Sequence, residues 1–99
     1  MEKNSKISEE QLNHLWQAYK QQKDQQAKER IINYYLYLVK YIASRLKINF
    51  PPQIEYDDLV SSGIIGLLDA IEKFEVERGL KFETYAMTRI RGAILDELR

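Results

Sequence analysis

The sequence predicts an all-α fold, a bundle of about four helices, on three observations. Apolar residues recur at helical spacing along most of the chain. Strand signals are nearly absent, since no stretch alternates apolar and polar residues for long and no Asn-Gly or Asp-Gly pair offers a hairpin turn. Pro51-Pro52 and Gly79 interrupt the helical pattern where one helix would give way to the next.

Each element has its own warrant. Ser8-Glu9-Glu10-Gln11 reads as a capping box opening a first helix, with Leu12, Leu15, Trp16 and Tyr19 on one face. Lys20 to Gln26 reads as a polar connection or frayed end. A second, longer helix is expected from about Ala27 to about Lys47, with Ile31, Tyr34 or Tyr35, Leu38, Ile42, Arg45 and Leu46 at helical spacing. Pro51-Pro52 ends it, because proline has no amide donor and restricts the residue before it, so 48–55 reads as a loop. Asp57 or Asp58 is the expected cap of a third helix running to about Phe74. Glu75-Val76-Glu77-Arg78-Gly79 reads as a turn, with Gly79 placed to take a positive φ. A last helix would start near Phe82 or Glu83. It reaches Arg99 without a cap, glycine or proline, so the natural chain is expected to continue.

Composition excludes several classes of function. A chain of 99 residues fits one domain with a single modest core. There is no cysteine, hence no disulfide framework and no thiolate metal site, and the only histidine is His14. A histidine metal cluster or a supported Ser-His-Asp triad is not expected, and neither a cofactor nor a metal is called for. The polar start lacks the apolar core of a signal peptide, and no apolar run is long enough to span a membrane. No membrane partner is expected, and a cytoplasmic location is the default. Fifteen basic residues balance 15 acidic ones, which argues against tight autonomous DNA binding. Residues 1–54 carry 9 basic and 5 acidic groups and residues 55–99 carry 6 and 10, so the richer half in motifs is the acidic one.

Two segments could carry chemistry. On the third helix Val60, Ile64, Leu67, Ile71 and Phe74 fit a core-facing row, while Leu59, Ile65 and Leu68 fall beside or away from it. A helix apolar over more than half its circumference is buried on two sides or docks a partner. Gly63 and Gly66 in its interior each cost roughly 1 kcal/mol against alanine and usually permit close backbone approach. Spacing alone favours a central core helix; the alternative is an interface edged by Asp58, Ser61, Ser62 and Asp69. On the last helix Phe82, Ala86, Ile90, Ala93 and Ile94 form an inward row, opposite Tyr85, Thr88, Arg89, Gly92 and Asp96. Spacing alone favours a solvated face here. The mixture also suits nucleic acid, since aromatics stack on bases, arginine meets phosphate or guanine, and aspartate accepts from cytosine. Seven tyrosines read mainly as packing residues whose hydroxyls reach water. The acidic pairs Asp57-Asp58 and Glu9-Glu10 read as helix starts rather than general acid–base pairs. No nucleophile-base set or phosphate-binding glycine loop points to an enzyme.

Asp58-Leu59-Val60-Ser61-Ser62-Gly63-Ile64-Ile65-Gly66-Leu67-Leu68-Asp69-Ala70-Ile71-Glu72-Lys73-Phe74 resembles the core-polymerase-binding segment of sigma-70 family factors. Arg78 to Ala86 resembles their promoter-melting segment, and Arg89 to Arg99 the −10 recognition helix of the flagellar, motility and sporulation branch. The strongest match covers residues 57–99, with a weaker one back through Leu38-Val39-Lys40-Tyr41-Ile42-Ala43. The resemblance implies a fold of the sigma region 2 type. Residues 1–26 would form an N-terminal helix and polar connection, and residues 27–99 the core-binding and promoter-melting domain. It implies a transcription initiation factor, not an enzyme, that works with core RNA polymerase and promoter DNA.

Carried over by position, Asp58, Ser61, Ser62, Ile64 and Leu68 would meet a coiled coil of the polymerase β′ subunit. Lys81, Phe82, Thr84 and Tyr85, with Arg78 before them, would capture flipped non-template bases. Thr88, Arg89, Arg91, Gly92 and Asp96 would recognise the −10 element, with Asp96 reading a G·C pair. The resemblance also admits an anti-sigma protein as a partner, and places the factor at the nucleoid when it is in holoenzyme. Housekeeping members carry two tryptophans where this chain has Thr88-Arg89, an aromatic where it has Leu80, and glutamine where it has Gly92, so Tyr85 and Phe82 would bear more of the stacking. The rival reading is a sigma-like helical adaptor, held by or holding a protein partner, with no DNA contact.

Overall fold

A computed structural model describes residues 7–75 and 79–98. Among the described residues there are four α-helices: α1 (Glu9–Gln22), α2 (Gln25–Leu46), α3 (Tyr56–Lys73) and α4 (Phe82–Leu95). Short 3₁₀ turns follow α2 (Lys47–Asn49) and α4 (Asp96–Leu98). Among the described residues there is no strand, as expected for an all-α fold, and no helix is long and apolar enough to cross a membrane. Contacts divide the chain into two compact units, the division falling after Tyr37 within α2.

The first unit is built by local capping. Ser8 Oγ accepts from the Gln11 amide at 3.1 Å and the Gln11 side chain accepts from the Ser8 amide at 2.9 Å, the capping box read from the sequence. The connection after α1 is shorter than the expected polar stretch, because α1 runs to Gln22 and α2 starts at Gln25. Lys23 turns the chain in the left-handed region (φ 55°), and the amides of Lys23 and Asp24 donate back to Tyr19 and Ala18 carbonyls. Asp24 Oδ1 then accepts from the Gln26 and Ala27 amides at 3.0 and 3.2 Å, capping α2, which starts two residues before the expected Ala27. Trp16, Ala27, Ile31, Tyr34 and Tyr35 are buried here. Tyr34 meets Tyr35 edge-on, with ring centroids 4.9 Å apart.

The second unit holds both candidate segments. Its core comprises Leu38, Val39, Ile42, Ala43, Leu46 and Phe50, then Leu59, Leu67, Ala70, Ile71 and Phe74, then Phe82, Ala86, Ile90 and Ile94. Arg45, placed in the apolar row of α2 by spacing, is exposed. The cap of α3 is Glu55 rather than Asp57 or Asp58. Asp58 sits at the third helical position, where its Oδ2 accepts from the Glu55 amide at 3.1 Å. The three carboxylates at 55, 57 and 58 are all suited to the helix start, and the reciprocal bond between Glu55 and Asp58 selects the earlier one.

The inward face of α3 also differs from the expected row. Leu59, Ser62, Gly63, Gly66, Leu67, Ala70 and Ile71 are buried, whereas Val60, Ile64 and Leu68 are half-buried and Ile65 is 67% exposed. The physical reason lies in the two glycines. A Cβ on Gly66 would lie 2.7 Å from the Arg89 carbonyl oxygen and 2.9 Å from Ile90 Cα, so α4 crosses directly over Gly66. Close backbone packing of α3 on α4 thus sets the rotation of α3, not the count of large apolar side chains. On α4 the inward row holds for Phe82, Ala86, Ile90 and Ile94, with Ala93 half-buried. Gly79 takes φ 78°, as its place in the turn predicts.

Candidate functional site

Two surfaces of the second unit carry the residues singled out in the sequence. The rotation of α3 leaves a strip open along its outer side. Ser61 and Ile65 are exposed, with Val60, Ile64 and Leu68 half-buried beside them, and the exposed Asp58 stands at the N-terminal end. Ser62 does not join this strip. It is buried, and its hydroxyl donates to Glu97 Oε1 at 2.6 Å, tying α3 to the turn after α4. The expectation that Ser62 meets polymerase is corrected accordingly, because its hydroxyl is committed inward. Ile65 was left out of the expected contact set. The only signal for it was its position off the apolar row on an otherwise apolar helix.

The outer side of α4 carries Thr84, Thr88, Arg91 and Gly92, all exposed, with Asp96 exposed in the following turn and Lys81 exposed at the N-cap. A Cβ at Gly92 would meet nothing within 4 Å, so this stretch of helix is bare. Arg78 lies outside the described residues. Phe82 is corrected from a stacking residue to a core residue. It is 4% exposed and meets Phe74 edge-on at 5.2 Å, so its ring is not open to a base.

Tyr85 is half-buried and flanked on two sides. The Phe74 ring lies 5.8 Å away at 40°, and the Arg89 guanidinium lies 5.8 Å from the Tyr85 centroid. A hollow of about 240 Å³ opens beside it, lined by Lys73, Phe74, Glu75, Leu80 and Tyr85. Leu80, 60% exposed, gives this hollow an apolar wall. Arg89 itself is ion-paired with Asp69 of α3, whose other oxygen holds Lys73 at 2.9 Å. The hydrogen bond from Lys73, and then that from Arg89, hold the Asp69 carboxyl below the usual carboxylate range. Donating to Asp69 in turn raises Arg89 above its ordinary value.

A second groove, of about 300 Å³, runs between α2 and α4 and is lined by Tyr41, Ile42, Arg45, Leu46, Met87, Thr88 and Arg91. Arg45 donates to the Tyr41 hydroxyl at 3.3 Å. Among the described residues neither Arg45 nor Arg91 has an acidic partner. Two guanidiniums beside an aromatic ring and an apolar floor suit a nucleotide. Sequence reading named Thr88 and Arg91 but missed Tyr41 and Arg45. The local signal was there, since Tyr41 and Arg45 are four residues apart and share a helix face.

The Sigma-70 region 2 family matches residues 31–99. The chain is 47% identical over 85 residues to the RNA polymerase sigma-D factor of Bacillus subtilis, covering 86% of this chain and 34% of that protein. It is 51% identical over 65 residues to the RNA polymerase sigma factor FliA of Escherichia coli, covering 66% of this chain and 27% of that protein. The FliA factor of Pseudomonas aeruginosa is 44% identical over 81 residues, covering 82% and 33% respectively. The match thus spans about a quarter to a third of the length of these relatives. The family match takes in α3, α4 and both open surfaces, and the chain belongs to the sigma-70 region 2 family.

Proposed function

We propose that this chain is a non-catalytic transcription initiation module that docks on core RNA polymerase and holds the opened promoter −10 element. The observation that carries the reading is the open apolar strip on α3, where Ile65 is 67% exposed on a helix otherwise packed against its own core. Ser61, Ile64, Ile65 and Leu68, with Asp58 at the end, form a surface suited to a helical partner, for which the β′ coiled coil is the proposed occupant. The module is proposed to comprise residues 27–99, with α1 as an appendage to it. Its place is the cytoplasm, at the nucleoid when in holoenzyme, and its promoters are those of the motility or sporulation branch. An anti-sigma protein would compete for the same strip.

The outer side of α4 is the proposed DNA face. Tyr85 offers its ring beside a hollow that can take an unpaired base, and Lys81, Thr84, Thr88, Arg91, Gly92 and Asp96 stand along the strand's path. Arg78 is proposed to join this set by its match to the family's melting segment. Arg45 and Arg91 would meet phosphates through the second groove. The mechanism is differential binding: the open form is held more tightly than duplex, which shifts the equilibrium toward melting. Unstacking costs a few kcal/mol per base, and stacking on an aromatic returns about 1–3 kcal/mol. With Phe82 in the core, Tyr85 is the one aromatic on α4 that can supply this. One ring does not melt several base pairs, and with a net charge of zero the affinity for phosphate must come largely from polymerase.

Leu68→Asp and Ile65→Asp test the docking strip in a pull-down on core polymerase. Both are expected to lose binding while keeping helicity by circular dichroism. Wild-type binding by both would refute the proposed surface.

A further inference from the structure

We propose that Asp69 and Arg89 form a positioning device for Tyr85, and that Arg89 is not itself a phosphate contact. The inference rests on the reading that Tyr85 stacks on an unpaired base, and states how that platform is kept in shape. Tyr85 and Arg89 lie four residues apart on α4, so the guanidinium can cover the ring. A long arginine side chain would ordinarily sample many rotamers there. Asp69, 20 residues earlier and on α3, fixes it through the ion pair. Phe74, at the end of α3, flanks the same ring. Tyr85 is therefore held between an α3 ring and an α3-anchored cation, leaving its approach from the Leu80 hollow open.

The charge arithmetic separates Arg89 from the other arginines. Both oxygens of Asp69 are engaged, one by Lys73 and one by Arg89. The guanidinium thus faces a carboxylate before any phosphate arrives, and transferring it to DNA would strand Asp69 beside the strand. Arg45 and Arg91 have no such acidic partner among the described residues. They are the groups free to displace counterions, and Arg89 is the group that shapes the stacking site.

Two measurements decide the matter. In the free chain, Tyr85 ring order is followed by NMR. Asp69→Asn and Arg89→Ala are expected to loosen the ring, while Arg89→Lys keeps it closer to wild type; an unchanged ring in Asp69→Asn would overturn the proposal. With core polymerase present, affinity for a fluorescent single-stranded −10 oligonucleotide is measured against salt. Arg89→Ala is expected to weaken capture roughly two- to fivefold, the size of an exposed cation–π contact. The salt slope should not change, and the loss should vanish in a Tyr85→Ala background because the two residues act as one unit. An equal loss in both backgrounds, with the slope falling by about one, would make Arg89 a phosphate contact and end the proposal. Failure of the wild-type complex to retain the strand would instead refute the stacking reading, and the ring-order result would still decide whether Asp69 and Arg89 hold Tyr85.

Discussion

Replacing Gly66 by alanine places a methyl carbon 2.7 Å from the Arg89 carbonyl oxygen, 2.9 Å from Ile90 Cα and 3.0 Å from Ala93 Cβ. The first two are backbone atoms, so no rotamer change can make room and α3 and α4 must move apart. Overpacking of this kind costs about 1–3 kcal/mol, and the backbone character of the clash puts it at the upper end. Alanine's better helix propensity offsets about 1 kcal/mol, which leaves a net loss of about 1–2 kcal/mol. Gly92 is the internal control, because it lies in α4 with nothing within 4 Å of a new Cβ. Gly92→Ala should gain about 1 kcal/mol from propensity alone. The two variants should therefore differ by about 2–3 kcal/mol, or on the order of 10–20 °C in melting temperature for a chain of this size. Thermal and urea unfolding followed by circular dichroism at the helical band measure the gap. Gly66→Ala as stable as Gly92→Ala would refute the claim that helix contact at Gly66 sets the rotation of α3.

Other consequences are equally direct. Gly63→Ala should be milder than Gly66→Ala in the same unfolding assay, since its Cβ meets side-chain carbons of Val39, Ile94 and Ile90 rather than backbone atoms. Ser8→Ala should lower stability by about 1 kcal/mol through loss of the cap, read as reduced helicity and protection in α1. Ser62→Ala should cost about 1 kcal/mol and loosen the turn carrying Asp96, visible as faster amide exchange there, because the bond to Glu97 is gone. Asp69 is held below the usual carboxylate range, so its stabilising contribution is complete above that range and fades as pH falls through its lowered value. Asp69→Asn should flatten the acid limb of a stability-against-pH profile below about pH 4, and an unchanged limb would remove the ion pair from the account.

Much of the fold was legible because its determinants are local. The capping box at Ser8, the proline break at Pro51-Pro52 and the positive φ at Gly79 each depend on a few adjacent residues. The rotation of α3 was not legible. Its sequence is apolar nearly all round, so periodicity establishes a helix but not which side faces in. The answer lay with Gly63 and Gly66, which a search for large apolar residues passes over. The cap was misplaced for a related reason, since Glu55, Asp57 and Asp58 all suit a helix start and only the bond from the Glu55 amide to Asp58 distinguishes them. The candidate site was legible as positions along α4 and the turn after it, with Thr88, Arg91 and Asp96 exposed and Tyr85 half-buried. Burial of Phe82 against Phe74, the bond from Ser62 to Glu97 across 35 residues and the pairing of Asp69 with Arg89 across 20 are tertiary facts. No local pattern encodes them.

The central claim is that one helical unit uses two separate surfaces, α3 for polymerase and α4 for the opened strand. It is tested most directly by measuring, in one titration with core polymerase, both polymerase binding and retention of a single-stranded −10 oligonucleotide. Leu68→Asp should abolish both, because the strand is held only in the complex. Tyr85→Ala should leave polymerase binding at the wild-type level and lose about 1–3 kcal/mol of strand affinity. Full strand retention by Tyr85→Ala, or full polymerase binding by Leu68→Asp, would contradict the account.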